Sequence, residues 1–227
     1  DIGSDMEKLL LERYLCKSVS REGKMAKAMS GQKHVTPSAD DIAAAARAAQ
    51  GRGLPPVHDW NPPETGALDM RIARDGTWYH EGTPITRPAL VRLFSTILRR
   101  EGDAHFLVTP VEKVRITVDD APFVAVDFTA SGHGRAQELT FHTNVGDSVT
   151  AGPDAPIRMA RDPDTDEPAP YVTVRDGLEA LIDRKSFYRL AEIGTHHRVD
   201  GQDWFGLWSR GTFFPLIPSR EMDDQGG

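Results

Sequence analysis

The tripeptide Arg-Asp-Gly occurs twice in this chain of 227 residues, at 74–76 and at 175–177, which are 101 positions apart. Each copy lies between stretches of alternating apolar and polar residues, and an Asp-Gly pair in that setting is typical of a β-hairpin turn. Each hairpin is followed by a segment with helical spacing of apolar residues and then by strand-like sequence. The repeated order hairpin, helix, strand therefore predicts an α+β fold with a duplicated unit.

The segments around the two turns predict a division into domains. The first α+β unit is predicted at 64–110, and a β-rich second domain at 111–227 contains the second unit. Residues 29–63 are predicted to be a helix, which Ser38 can cap, and a proline-rich linker. Five of the seven lysines lie in the first 33 residues, whereas arginine dominates the rest. Residues 1–28 are therefore expected to be a flexible arm, or a segment that is mis-started or not native to the protein.

Two amphipathic helices are predicted, one in each unit. In the first unit, Thr86 is expected to cap the helix and Gly102 to end it. In the second unit, the helix is expected to begin at Asp183 and to end at Gly194. The following pair, His196-His197, is expected in a solvent-facing turn. Adjacent side chains point in different directions, so the pair cannot chelate a metal ion by itself.

Composition restricts the class of protein. The formal net charge of −7 argues against binding to a nucleic-acid polymer, because phosphate neutralisation requires a positive surface. No apolar run approaches the length of a membrane span. A single cysteine, Cys16, excludes an intrachain disulfide and any multi-cysteine metal site. These features favour a cytoplasmic protein.

Familiar catalytic signatures are absent from the sequence. It lacks a phosphate-binding loop, a His-Glu-x-x-His zinc helix and a Gly-x-Ser-x-Gly nucleophile elbow, and no cofactor or metal is predicted. The segment 162–166 resembles the start of a calcium loop, but it lacks the required glycine and bidentate acid. One alternative hypothesis is an unrecognised hydrolase or transferase with Glu112, Asp127 or His142 as the acid or base.

Arginines near turns and helix starts predict a site for a small anionic ligand. Guanidinium groups bind phosphate and carboxylate through paired hydrogen bonds, and helix N-termini add free backbone donors. Two tryptophans can supply stacking surfaces, with a place in the core as the alternative. Surface ion pairs are the alternative for the arginines. The candidate binding residues are Trp78, Arg87, Lys113, Asn144, Arg175, Arg184, Trp208 and Arg210.

Four segments resemble the bacterial family known as domain of unknown function 1285. They are DGTW at 75–78, TPVEK at 109–113, PYVTVRDGLEAL at 170–181 and WSRGTFFP at 208–215. The resemblance implies a duplicated α+β fold whose C-terminal half is similar to a pleckstrin-homology-type barrel. It also implies a cleft between the halves for a small, nucleotide-like ligand, and a role in signalling. No reaction is assigned to the family, so no catalytic residue is transferred. A protein-interaction scaffold without a small ligand is the competing hypothesis.

Overall fold

The computed structural model describes residues 38–49, 53–161 and 168–220. The predicted arm at 1–28 and the calcium-like segment at 162–166 lie outside the described residues, so the structure does not bear on them.

Two of the predicted helix starts are confirmed. The helices within the described ranges are α1 (Ala39–Ala49), α2 (Pro88–Thr96) and α3 (Arg184–Glu192). The Ser38 hydroxyl caps α1 by accepting a hydrogen bond from the Asp41 N–H at 3.1 Å, and it donates to the Asp41 carboxylate at 2.6 Å. The Asp183 carboxylate caps α3 by accepting from the Ser186 N–H at 2.7 Å.

Helix α2 differs from the prediction at both ends. The cap position is Arg87 rather than Thr86, and Pro88 opens the helix, where its missing N–H has no cost. The helix ends at Thr96, and Leu98, which the helical spacing included, begins a strand. Gly102 lies in the following turn with a φ of 59°, not at a helix end. A short apolar run fits a buried helix or a buried strand equally well, which explains the error.

Fifteen strands form three sheets within the described residues. The first sheet consists of β1 (Glu64–Ile72), β2 (Trp78–His80), β3 (Thr83–Pro84), β4 (Leu98–Glu101), β5 (Ala104–Val108) and β6 (Lys113–Val118), in the order β3-β2-β1-β6-β5-β4. The second consists of β7 (Phe123–Ser131), β8 (Glu138–Thr143), β9 (Ser148–Thr150), β10 (Ile157–Arg161), β11 (Pro168–Arg175) and β12 (Leu178–Ile182), in the order β10-β11-β12-β7-β8-β9. The third consists of β13 (Thr195–Val199), β14 (Gln202–Ser209) and β15 (Thr212–Pro218). The fold is therefore mixed α+β and mostly strand. The first sheet includes β6 and so extends past residue 110.

The two Arg-Asp-Gly turns have different geometries. At the first turn, Ile72 pairs with Trp78, and Gly76 has a positive φ of 82°. At the second, Arg175 pairs with Leu178, and the two residues between them have φ values of 46° and 73°, which is the pattern of a type I′ turn. The strands also pair differently, because β1 is parallel to β6, which follows it, and β12 is parallel to β7, which precedes it. The two units share the order of their elements but not their turn geometry or strand pairing, so the duplication stays a prediction.

One hydrophobic core joins α1, α2, α3 and the three sheets. Trp78 lies within it at 1% exposure, and its ring stacks on Phe94 with centroids 6.3 Å apart. The proline-rich linker is fixed beside the first sheet, because the Arg99 guanidinium donates to the carbonyls of Val57 at 2.9 Å and Trp60 at 2.6 Å. In the described ranges, no helix combines the length and apolar character needed to cross a membrane.

Candidate functional site

The predicted binding residues do not converge on one site. Trp78 has the core position that was its alternative assignment, so neither ring face is open to a ligand. Arg87 and Arg184 are exposed at the starts of α2 and α3, and Arg184 already has an interaction partner. The Lys113 ammonium forms an ion pair with Glu101 at 2.7 Å.

Asn144 connects the second sheet to the first Arg-Asp-Gly turn. Its backbone N–H donates to the Val124 carbonyl at 2.8 Å, and its side-chain oxygen accepts from the Val124 N–H at 3.0 Å. Its amide nitrogen donates to the Gly76 carbonyl at 3.3 Å. A Cβ on Gly76 would overlap this amide, so the contact depends on glycine. Asn144 therefore uses its side chain to join the two sheets.

Arg175 has a similar position between elements. Its guanidinium forms an ion pair with Asp147 and donates to the Ser95 carbonyl of α2 at 2.7 Å. It also lies 4.9 Å from the centroid of the Phe123 ring, and the side chain is only 15% exposed. The predicted ligand arginine is thus engaged by groups of the fold.

A cleft of about 180 Å³ lies between the first and second sheets. The Arg158 guanidinium donates to both carboxylate oxygens of Glu179, at 2.6 and 2.7 Å. Arg100 lies 3.8 Å from Asp103 and 4.0 Å from Glu179. With Asp120, three carboxylates and two guanidinium groups line the cleft. This balance of charge does not favour an anionic ligand.

Two further titratable groups belong to this cleft and its wall. Burial, and to a lesser extent the charge of Arg100, lowers the pKa of His105, so its ring is neutral at pH 7. The Tyr171 hydroxyl donates to Asp120 at 2.8 Å. Burial, followed by this hydrogen bond, raises the pKa of Tyr171 from 10.0 to about 12. Neither group adds positive charge to the cleft.

The raised pKa of Tyr171 gives a pH prediction. A phenol whose pKa is raised by folding contributes stability that is present below pH 10.0 and is lost as the pH rises towards about 12. We therefore expect the stability difference between wild type and Tyr171→Phe to shrink across that interval. Tyrosinate absorbance should show one late titration in the wild type that is absent from Tyr171→Phe. A Tyr171 phenol that titrates near pH 10.0, as a free tyrosine does, would contradict the burial of Tyr171.

A second cleft, of about 390 Å³, lies where the 3-10 turn Gly134–Ala136 meets the third sheet. We call it the Trp208 cleft, and its lining residues are Gly134, Arg135, Gln137, Ile193, Thr195, His197 and Trp208. The Trp208 ring packs against His197 and Phe213, with centroids 4.9 and 5.2 Å away. The Arg135 guanidinium carbon lies 4.9 Å from the centroid of the Trp208 ring. The cleft therefore combines a cation with aromatic side chains.

Hydrogen bonds fix the wall of the Trp208 cleft. The N–H groups of Arg210 and Gly211 donate to the carbonyls of Gln137 at 2.8 Å and Arg135 at 3.1 Å. The Gln137 side chain donates to the Trp208 carbonyl at 2.9 Å. These three bonds join the 3-10 turn to the β14–β15 hairpin, so Arg135 and Trp208 are held together before any ligand binds.

Arg135 is the unpaired cation of this cleft. Among the described residues it has no ion pair, whereas the candidate Arg210, with a 58% exposed side chain, lies 4.0 Å from Glu138. Sequence reasoning identified Trp208 and missed Arg135 and His197. The expectation that His197 lies in a turn is wrong, because β13 contains it and places its ring 5.0 Å from that of Phe213. The sequence feature nearest to Arg135 is the Gly132-His133-Gly134 segment before it, in which both glycines have positive φ.

Two of the three residues proposed as an acid or base already have partners within the fold. Asp127 and His142 are cross-strand partners in β7 and β8. However, Asp127 pairs with Arg189, whose hydrogen bond lowers the pKa of this carboxyl group, and the His142 ring bonds the Ser148 hydroxyl at 2.9 Å. No cluster of three His, Cys, Asp or Glu side chains suited to a metal ion occurs among the residues that the structure describes.

Comparison with known proteins assigns the family. The model for "Domain of unknown function (DUF1285), N-terminal domain" matches residues 55–121, and that for "Protein of unknown function (DUF1285), C-terminal domain" matches residues 122–216. This chain belongs to the DUF1285 family. The resemblance seen in the sequence is therefore confirmed, and the two DUF1285 domains meet between β6 and β7.

Two solved DUF1285 structures are similar to this chain. A DUF1285 protein from Silicibacter pomeroyi DSS-3 is 64% identical, with a TM-score of 0.74, and the match covers 80% of this chain and 97% of that one. A DUF1285 protein from Shewanella baltica OS155 is 28% identical, with a TM-score of 0.44, and the match covers 55% of this chain and 91% of that one. The comparison with curated proteins gave no match.

Proposed function

We propose that this protein is a small-molecule-binding module and that it binds a small anionic ligand in the Trp208 cleft. The observation that carries the proposal is Arg135, whose guanidinium lies over the Trp208 ring at 4.9 Å and has no acidic partner among the described residues. A guanidinium held beside an aromatic ring and without an acidic partner has N–H groups that can bind a carboxylate or phosphate.

The sequence placed this ligand between the two halves, but charge supports the Trp208 cleft instead. In the cleft between the halves, Glu179 already accepts both donors of Arg158. An anion there would have to displace a carboxylate and approach two more. In the Trp208 cleft, the lining residues within the described part of the chain include one guanidinium and no carboxylate. Opposite charge therefore favours an anion at Arg135.

The family resemblance adds context to the proposal. A cytoplasmic signalling role would suit a module that binds a ligand and has no assigned reaction. The recurrent order hairpin, helix and strand supports an origin by duplication. The second and third sheets share one core, which is compatible with a barrel of the pleckstrin-homology type.

A thermal-shift screen of the full chain tests the proposal. The panel contains nucleotides, cyclic dinucleotides, organic carboxylates and inorganic phosphate. A ligand at about 100 times its dissociation constant should stabilise the protein by about 2.7 kcal/mol. We expect Arg135→Ala to weaken its binding about tenfold or more, because a charge-assisted hydrogen bond contributes about 1.5–3 kcal/mol.

Two matched variants make this test specific. Arg87→Ala removes an exposed arginine far along the chain from the cleft and should leave the shift unchanged. Arg158→Ala reports on the cleft between the halves. A shift that disappears in Arg158→Ala and survives in Arg135→Ala would reject the Trp208 cleft as the site.

A further inference from the structure

We infer that the ligand of the Trp208 cleft is a planar aromatic carboxylate with a single negative charge, rather than a polyphosphate or a bare inorganic anion. The inference rests on the proposed function and names the ligand class for the same site. It follows from the charge, the apolar lining and the orientation of the donors in the cleft.

The number of cations limits the charge of the ligand. Among the described residues that line the Trp208 cleft, Arg135 is the only lysine or arginine. Arg210, whose backbone N–H donates to the carbonyl of the lining residue Gln137, has its guanidinium 4.0 Å from the carboxylate of Glu138. The described residues that line the cleft offer no second lysine or arginine to a second or third negative charge on the ligand. The site is thus matched to a monoanion.

The apolar part of the lining requires more than a bare ion. Ile193 is 36% exposed at this cleft, and the ring of Trp208 is only partly buried. The cleft volume of about 390 Å³ lies in the range of sites for organic molecules. An inorganic anion on Arg135 would leave Ile193 and Trp208 in water, whereas an organic body would cover them. Burial of that surface favours an apolar ligand body.

The donor orientation favours a planar ligand with a carboxylate. The Arg135 guanidinium carbon lies over the Trp208 ring, 4.9 Å from its centroid, and a guanidinium there can present its planar fork of N–H groups to the two oxygens of a carboxylate. A ring attached directly to that carboxylate then extends along the aromatic group formed by Trp208, His197 and Phe213, whose rings are tilted to one another by 55° to 66°. Tilted and offset contacts are the preferred arrangement between aromatic rings.

The experiment compares four probes on the full chain by isothermal titration calorimetry. They are 2-naphthoate, its uncharged amide 2-naphthamide, inorganic phosphate and ATP. We expect 2-naphthoate to bind about tenfold or more tightly than the amide, a difference that corresponds to one charge-assisted interaction. Phosphate and ATP should bind more weakly than 2-naphthoate. The naphthalene ring should also quench tryptophan fluorescence in wild type and less so in Trp208→Phe.

Variants at Arg135 test whether this side chain causes the preference for the carboxylate probe over its amide. In Arg135→Gln the two naphthalene probes should bind equally, and Arg135→Lys should keep part of the preference, since it retains the charge and loses the planar fork. Arg87→Gln, the same exchange at an exposed helix start, should match the wild type. Circular dichroism melts verify that each variant is folded.

The outcomes separate the ligand class from the proposed function. Binding of ATP or phosphate that depends on Arg135, together with no binding of 2-naphthoate, would overturn the aromatic monoanion and retain an anion site. Equal binding of 2-naphthoate and its amide in the wild type would also overturn the inference. If no probe of either class binds in a way that depends on Arg135, both the inference and the proposed function are wrong.

Discussion

Replacing Trp78 with alanine is expected to lower the free energy of unfolding by about 3–5 kcal/mol, the usual cost of deleting a large buried aromatic side chain. Trp78 is 1% exposed and stacks on Phe94 of α2, with an angle of 14° between the ring planes. Its removal would therefore leave a cavity between the first sheet and α2. Urea unfolding monitored by circular dichroism measures the loss.

Trp78→Phe is the matched variant. Within the described residues, the Trp78 Nε1–H has no hydrogen-bond acceptor, so phenylalanine removes an unsatisfied donor and keeps most of the packing. We expect it to lose less than half the stability that Trp78→Ala loses, and to bind ligands as the wild type does. A Trp78→Phe protein of normal stability that no longer binds the ligand would show that Trp78 contributes to ligand binding.

Local signals in the sequence predicted local structure well. Ser38 and Asp183 cap helices because their side chains need only backbone N–H groups three residues away. The prediction failed where two local structures compete. Leu98 continues an apolar pattern that suits a helix, yet it pairs with Leu107 in the first sheet. Whether Leu98 joins a helix or a strand depends on the presence of a partner strand, which helical spacing alone does not reveal.

The candidate site was less predictable, because a side chain's role depends on its partners. Asn144 and Arg175 have the chemistry of ligand residues, but their side chains bond the carbonyls of Gly76 and Ser95, which are 68 and 80 positions away in the sequence. Conversely, Arg135 stands in a glycine-rich turn with no motif around it. Only the fold places it beside Trp208, which is more than seventy positions later in the chain. Residue type alone therefore could not distinguish Trp208, which lines a cleft, from Trp78, which is buried in the core.

The third sheet is expected to depend on Gly206. A Cβ at this position of β14 would overlap the backbone oxygen of Phe214 and approach the Phe213 ring at 2.7 Å. A backbone atom of the neighbouring strand cannot move aside as a flexible side chain can, so β15 itself would have to shift. We expect Gly206→Ala to lower the free energy of unfolding by about 2–4 kcal/mol, as for overpacking that displaces backbone.

The consequences of Gly206→Ala should extend to the Trp208 cleft. Phe213 contacts both Trp208 and His197, so a displaced β15 would disturb the aromatic group and weaken ligand binding in any protein that still folds. Gly53→Ala is the control, because a Cβ there meets no atom within 4 Å, and its stability should stay within about 0.5 kcal/mol of the wild type. Adding Phe213→Ala to Gly206→Ala should not restore stability, since the overlap with the Phe214 backbone persists. Full rescue by that second substitution would show that the ring, and not the close approach of the two strands, makes glycine necessary.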